Sequence, residues 1–433
     1  MREPIGVLGA GWVGLVTGTC FAERGHDVWL RDIDPERIAA LERGELPIYE
    51  PGLEEILERN RERLHFTLEI GDVLRSARIV FVCVGTPPTY SGDADLSAVW
   101  HLVEELEHDV EGRGDTILVM KSTVPVGTGA KVMTELAARG VERVDYVSNP
   151  EFLAEGTAVD DFQHPDRIVL GGVSEAALEA VAGLYDGLGA PVVRTDIASA
   201  EMIKYASNAF LATKISFINE IANVCEETGA DVGVVARGMG LDDRIGQHFL
   251  RAGIGFGGSC FPKDVAALKQ LAGNSGYHFQ LLTAVIEVNE LQKRRVIGKL
   301  AKHLGTLRGR TITLLGLAFK PNTNDMRQAA SLVLASRLRS EGASVRAWDP
   351  VAIDEARPLL SGVELFRDML AALRGADAAV IVTEWDEVKR FPYDDAARVM
   401  KTAVLVDGRN ILDPAEARRN QFVYESIGRP SLT

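Results

Sequence analysis

Unbroken apolar runs, each closed by glycine, proline or a polar turn, recur through the first part of the chain. The stretch IGVLGAGWVGLVTGTCFAERGHDVWLRDID (5–34) reads as strand, glycine turn, helix, strand. Further strands are predicted in RIVFVCVGTP (78–87), TILVMKSTVPVGT (116–128), DYVSNPEF (145–152), RIVLGG (167–172) and PVVRTD (191–196). Strands that are apolar throughout, alternating with helical stretches, imply a doubly wound parallel sheet covered on both faces.

From about Ser199 to Gly305 the pattern becomes helical. The segment EMIKYASNAFLATKISFINEIANVCEET (201–228) is apolar on nearly every face, so burial between domains or subunits is expected. A second long helical segment is HFQLLTAVIEVNELQKRRVIGKLAKHLG (278–305). Strand-helix alternation then returns in TITLLGLAF (311–319), SLVLASRLRSEG, ASVRAWDP, ADAAVIVTEW (376–385) and TAVLVDGRN (402–410). ERGHDVWLRD (23–32) aligns with SEGASVRAWD (340–349), a weak internal repeat in which Asp follows a strand. The expected architecture is α/β: two Rossmann-like doubly wound parallel-sheet domains, 1–198 and 306–433, joined by a central helical region, 199–305.

At 433 residues the chain is long enough for two or three domains. Its net charge of −15 argues against nucleic acid or an acidic membrane surface as partner, though not against a small anion in a local basic pocket. Cys20, Cys83, Cys225 and Cys260 have neither paired nor metal-ligand spacing, so neither a disulfide framework nor a metal site is expected. With no signal-peptide layout and no apolar run near the roughly 18 residues of a membrane span, a reduced cytoplasmic setting is expected.

Gly9-Ala-Gly-Trp-Val-Gly14 follows a strand and opens a helix, and Asp32 ends the next strand. That context turns a weak glycine motif into a dinucleotide fingerprint: the glycines admit a diphosphate and Asp32 can bind ribose hydroxyls. An acidic residue there repels a 2′-phosphate, favouring NAD over NADP, and Arg37 is placed to cover the adenosine side. The equivalent turn Gly316-Leu-Ala-Phe-Lys320 lacks the fingerprint, so the C-terminal domain should not bind a dinucleotide in this way.

Thr86 in VGTP and Thr123 in KSTVPVGT end strands on the ligand side of such a sheet; they are either cofactor or water contacts or plain turn residues. Lys204 and Asn208, four apart on a helix, share a face and together suit a developing oxyanion, with a solvated pair as the equal alternative. Glu151 and Glu155 are open to two readings, general base or sugar contact against acids at a helix N-terminus.

Four glycines (253, 255, 257 and 258) precede Cys260 in GIGFGGSCFPKD. They are expected to let the backbone pass close to a ligand. Cys260 sits at the entrance to the helix DVAALKQLAG, where helix N–H groups and Lys263 favour a thiolate, and Asp264 is placed to orient a base or water. The other three cysteines read as packing residues. Beside NAD, such a thiol can trap an aldehyde as a thiohemiacetal and carry it to a thioester, so that an alcohol is oxidised through to an acid.

These motifs, with NPEFLAEG, RIGQHFLRAGIGFGGSCFPKD (244–264) and GLAFKPNTNDMR (316–327), make the whole chain resemble the UDP-glucose/GDP-mannose dehydrogenase family. The resemblance implies that Cys260 is the nucleophile of two successive oxidations at carbon 6 of the sugar. Lys204 and Asn208 would stabilise the oxyanions, and Glu155, Thr123 and Asp264 would position and activate the hydrolytic water. Gly9, Gly11, Trp12, Val13, Gly14, Asp32, Arg37, Thr86, Thr123, Glu155, Lys263 and Arg327 would contact NAD. The nucleotide-sugar would meet Glu151, Phe152, Leu153, Ala154, Glu155, Lys204, Asn208, Phe249, Leu250, Arg251, Ala252, Gly253, Gly257 and Lys320, with Arg244 reaching it from a neighbouring subunit. The implied substrate is UDP-glucose, with GDP-mannose or a one-step β-hydroxyacid oxidation as alternatives, and the implied assembly is at least a homodimer.

Overall fold

The computed structural model describes residues 2–109, 115–141 and 143–430. They form two compact units that divide between Ser207 and Asn208. Among the described residues no helix is long and apolar enough to cross a membrane.

The first unit is built on eight strands: β1 (Ile5–Leu8), β2 (Val28–Arg31), β3 (Leu64–Thr67), β4 (Ile79–Val82), β5 (Thr116–Met120), β6 (Val144–Ser148), β7 (Ile168–Gly172) and β8 (Val192–Thr195). Their order in the sheet is β3-β2-β1-β4-β5-β6-β7-β8. The central strands are apolar throughout because each feeds two cores. Ile5, Val7, Ile79, Phe81, Ile117 and Val119 point into one buried cluster, while Leu8, Val80, Val82, Leu118 and Met120 point into the other. Full burial of such a side chain contributes about 1.5–3 kcal/mol, so helices on both faces are required to realise it.

One pairing departs from the all-parallel expectation. β6 and β7 run antiparallel, with Val147 opposite Gly172 and Ser148 opposite Gly171. The chain between them does not cross back over the sheet. It stays at the edge where β6 ends, as an irregular stretch and the short helix Ala158–Gln163. Strand direction depends on that return route, which local apolar pattern does not encode.

The second unit carries β9 (Thr311–Leu315), β10 (Ser344–Trp348), β11 (Glu364–Phe366), β12 (Ala378–Ile381), β13 (Val404–Asp407) and β14 (Val423–Ser426). The order β11-β10-β9-β12-β13-β14 repeats that of β3 to β6 in the first sheet, with every pair parallel. The short strands β3, β11 and β14 lie at or toward sheet edges and were absent from the sequence reading.

Most of the helical middle belongs to this second unit. Ile218, Ala222 and Cys225 of the helix Ile197–Thr228, and Val296 and Leu300 of the helix Arg295–Leu304, share one buried cluster with Ile312 and Leu314 of β9. Within the single chain one face of the long helix is left uncovered. Phe210, Phe217 and Val224, spaced seven apart, are exposed on it.

Candidate active site

In the first unit, the turn after β1 has the geometry that its glycines require. Gly9 has φ +100°, and a Cβ there would lie 2.8 Å from the Cys83 carbonyl oxygen. At Gly14 a Cβ would lie 1.8 Å from the Gly9 oxygen, so the helix Trp12–Glu23 can approach the turn only with glycine at that position. Gly11 differs: no heavy atom comes within 4 Å of its would-be Cβ. Gly11 is also the N-cap of that helix, with neither a side-chain cap nor an acidic residue in the first turn. Open space in front of uncapped N–H groups fits a diphosphate.

Asp32 is buried just beyond β2. Its Oδ2 accepts from Ala10 N at 2.8 Å and from Arg37 Nη1 at 3.0 Å, and its Oδ1 accepts from Asp34 N at 3.0 Å. Ribose recognition fits this fixed carboxylate, with Arg37 held beside it. Trp12 and Val13 pack on the adjoining core.

Thr86 Oγ1 donates to the Thr123 carbonyl oxygen at 2.9 Å, and Ser122 Oγ donates to the Val84 oxygen at 2.7 Å. These bonds tie the turn after β4 to the turn after β5. The Thr123 side chain is half-buried.

Beyond β6, Lys204 Nζ donates to Glu151 Oε1 at 2.9 Å, and both side chains are buried. Glu151 Oε2 accepts from Leu153 N at 2.6 Å. Phe152 stacks under the Arg167 guanidinium at 3.6 Å and lies 5.4 Å from the Lys204 ammonium. Ala154 N donates to Asp161 Oδ2 at 2.8 Å, and Glu155 is buried.

Sequence reasoning missed Lys121, which lies at the start of KSTVPVGT directly after a fully buried strand. Its Nζ is 3.3 Å from Asn149 Oδ1 and 3.5 Å from Tyr185 OH, and that hydroxyl donates to Asn149 Oδ1 at 2.6 Å. Burial lowers the Lys121 pKa to about 8. Together these groups line a cavity of about 100 Å³ with Glu151, Phe152 and Arg167.

In the second unit, Cys260 is the N-cap of the helix Phe261–Asn274, which begins three residues earlier than the sequence pattern suggested. Ser259 Oγ lies 3.5 Å from Cys260 Sγ. One turn on, Asp264 N donates to the Cys260 carbonyl oxygen at 2.8 Å. The Asp264 carboxylate, 1% exposed, accepts from Asn208 Nδ2 at 2.6 Å and pairs with Lys263 Nζ at 2.9 Å. The remaining cysteines are set apart by burial, which pushes the Cys20 and Cys83 thiols up to about 12 and also raises Cys225. All four are reduced.

The glycines before Cys260 are each hemmed in by neighbouring protein. A Cβ at Gly253 would lie 2.9 Å from the Gly408 oxygen, at Gly255 2.6 Å from Asn289 Oδ1, at Gly257 2.4 Å from the Gln328 oxygen and at Gly258 2.6 Å from the Phe319 ring. The space is already filled by protein, so these glycines admit neighbouring segments of the same unit. Polar side chains that the sequence reading passed over hold the loop. Asn219 Oδ1 accepts from Gly253 N at 2.8 Å, Gln292 Nε2 donates to the Gly253 oxygen at 2.9 Å, and Arg409 Nη1 donates to the Gly255 oxygen at 3.1 Å. Asn289 bonds both the N and the O of Phe256, at 2.8 and 3.1 Å. For Asn219, Asn289 and Gln292 the signal is a polar residue within a helix that is otherwise largely apolar.

Leu250 and Ala252 are in the core, Arg251 is exposed, and Phe249 is partly exposed with φ +64°. The cations expected around an anionic ligand are mostly paired. Arg244, exposed, holds Asp242 at 2.7 Å, and Arg327 holds Asp325 at 2.7 Å. Lys320 Nζ lies 5.4 Å from the Phe319 ring.

The counterpart of Asp32 in the second sheet is Asp349. Its Oδ2 accepts from Leu317 N, Ala318 N and Trp385 Nε1 at 2.7, 3.1 and 3.0 Å, and its Oδ1 accepts from Val351 N and Ala352 N at 2.9 and 2.8 Å. Five protein donors satisfy this carboxylate, with an indole among them.

Residues 3–188 match the NAD binding domain of the UDP-glucose/GDP-mannose dehydrogenase family, residues 198–291 its central domain and residues 313–414 its UDP binding domain. The chain belongs to the UDP-glucose/GDP-mannose dehydrogenase family. It is 48% identical over 435 residues to the UDP-glucose 6-dehydrogenase TuaD of Bacillus subtilis, covering 99% of this chain and 94% of that protein. It is 47% identical to a UDP-glucose 6-dehydrogenase of Pseudomonas aeruginosa, covering 98% and 97% of the two chains. Among solved structures, a UDP-glucose dehydrogenase from Pyrobaculum islandicum superposes with a TM-score of 0.92 at 38% identity, over 99% of this chain and 98% of that one. As a member of this family the protein is an NAD-dependent nucleotide-sugar dehydrogenase, and the open Gly11 turn with its fixed Asp32 suits that cofactor.

Proposed function

We propose that the protein oxidises UDP-glucose to UDP-glucuronate in two steps, with Cys260 holding the half-oxidised sugar. The observation that carries this reading is Cys260 at the N-terminus of a helix whose next turn presents a buried Asp264, hydrogen-bonded by Asn208 and ion-paired with Lys263. Full-length likeness to UDP-glucose 6-dehydrogenases supports the choice of sugar.

NAD, bound at the Gly9–Gly14 turn, supplies the hydride acceptor, two molecules for each sugar. Loss of a first hydride from carbon 6 and of its hydroxyl proton leaves an aldehyde, to which the Cys260 sulfur adds to give a thiohemiacetal. Loss of a second hydride and of the hydroxyl proton converts this to a thioester. Water then displaces the sulfur and leaves the carboxylate. Lys204 and Asn208 take the charge that develops on the carbon 6 oxygen, and Asp264, Glu155 and Thr123 orient the water. Glu151 to Glu155, Phe249 to Gly253, Gly257 and Lys320 receive the nucleotide-sugar. Arg244, exposed on its own chain, serves the site of a second copy in a homodimer, and the protein works in the cytoplasm.

The test is turnover on a panel of UDP-glucose, GDP-mannose and UDP-N-acetylmannosamine, with NADH and sugar product quantified. Two NADH and one UDP-glucuronate per UDP-glucose are expected. A single NADH per sugar points to a one-step dehydrogenase, and turnover confined to GDP-mannose moves the substrate assignment. Cys260→Ser should abolish acid formation while NAD and UDP-glucose still bind.

A further inference from the structure

Glu50 lies between the helices Pro35–Arg43 and Leu53–Arg59, in a connection that no motif above includes, yet it is 5% exposed. Its carboxylate is shared between two separate turns of the first unit. Oε2 accepts from Trp12 Nε1 at 3.1 Å and from Gly156 N at 2.8 Å. Oε1 accepts from Ala158 N at 2.8 Å. Trp12 opens the helix behind the cofactor turn, and Gly156 directly follows Glu155.

A carboxylate in a surface connection ordinarily faces water, and burying it is unfavourable unless donors surround it. Three donors meet this one. Leu46 and Ile48 from the same connection pack on the buried cluster that also takes Trp12, Val13, Leu153 and Val159, so the backbone delivering Glu50 is itself fixed. Gly156, at φ +86°, and the first residue of the helix Ala158–Gln163 both direct their N–H groups at it.

We propose that Glu50 is a positioning residue that clamps the Trp12 turn of the cofactor site to the turn carrying Glu155. The place where NAD sits and the carboxylate that orients water then keep one fixed relation. This rests on the functional reading above, because Glu155 has its role only there.

Glu50→Gln keeps the shape but replaces one acceptor oxygen with a donor that faces an N–H. It should raise the KM for NAD and slow thioester hydrolysis, each about tenfold, as expected for a lost bond to a charged group. The first NADH of a single turnover should still form quickly, so the Cys260 adduct becomes the main species in intact-protein mass spectra during turnover. Trp12→Phe removes only the cofactor arm, and it should shift the NAD KM less while leaving the adduct at its parental level. A structural role alone would lower every rate in proportion to the folded fraction, and that result, or parental kinetics in Glu50→Gln, overturns the proposal. If Glu50→Gln does not fold, Glu50→Asp retains the charge but is too short to span both turns, and the same split is expected. Should the parent protein give no second NADH, the functional reading fails by itself. Direct NADH titration then decides on Glu50, since both variants must still weaken binding, and unchanged affinity rejects the clamp.

Discussion

Asn208 and Asp264, 56 residues apart in sequence, are joined by a 2.6 Å hydrogen bond from the amide to the carboxylate. Lys263 holds the other oxygen of the same carboxylate at 2.9 Å. A buried carboxylate with one oxygen hydrogen-bonded and the other left to an ion pair, one turn after a cysteine, is prepared to orient a reactant rather than to stabilise a surface. Asp264→Asn, which keeps the volume and removes the charge, should lower kcat by about a hundredfold with the fold retained by circular dichroism. A variant within twofold of the parent removes Asp264 from the chemistry.

Gly11 and Gly257 offer a matched comparison. Gly11 has φ −77° and open space in front of it, so Gly11→Ala should change stability by no more than about 0.5 kcal/mol. Its methyl group would occupy the diphosphate position and raise the KM for NAD on the order of tenfold or more. At Gly257 the methyl meets the Gln328 oxygen at 2.4 Å, so Gly257→Ala should lose about 1–3 kcal/mol of stability. Thermal melts beside NAD titrations separate the two, and a swap of phenotypes would falsify the assignment.

Lys121 makes stability depend on alkaline pH. Its folded pKa of about 8 lies below the ordinary 10.5, so between those values the unfolded chain binds more protons than the folded one. Stability from this group therefore rises as pH climbs from 8 to 10.5, by up to about 3 kcal/mol, because the cost of burying the charged form disappears. Lys121→Met should lose that dependence. Denaturant melts of both proteins at neutral and alkaline pH would show the parent gaining on the variant, and parallel curves would mean that burial does not depress the lysine's pKa.

The exposed row Phe210, Phe217 and Val224 gives the homodimer proposal a specific address. Phe217→Glu puts a charge in its middle and should convert a dimer to monomers in light scattering, since a desolvated charge at an apolar interface is strongly disfavoured. A parent protein that is already monomeric at micromolar concentration ends that proposal.

The architecture was legible wherever local pattern suffices. Unbroken apolar character along β1, β4 and β5 announces two cores, and Gly14 and Asp32 announce a nucleotide turn because their reasons lie within one strand-helix-strand unit. What depended on distant neighbours was not legible. The glycines at 253–258 face Asn289, Gln328, Phe319 and Gly408, all remote in sequence, so the protein contacts that require glycine there cannot be read from the local pattern. Glu50 and Lys121 were passed over for the same reason, their partners being scattered along the chain. The antiparallel β7 was missed because direction is a property of the return path.

The indole of Trp385 against Asp349 bears on how a duplicated architecture can divide its labour. The second sheet repeats the strand order of the first, yet its acidic residue is engaged by the protein itself. Specialisation there needs no change of topology: four backbone N–H groups and one large side chain together turn a docking carboxylate into an internal strut. Reversing it would take more than restoring glycines upstream, because the ring would have to leave before any ribose could enter.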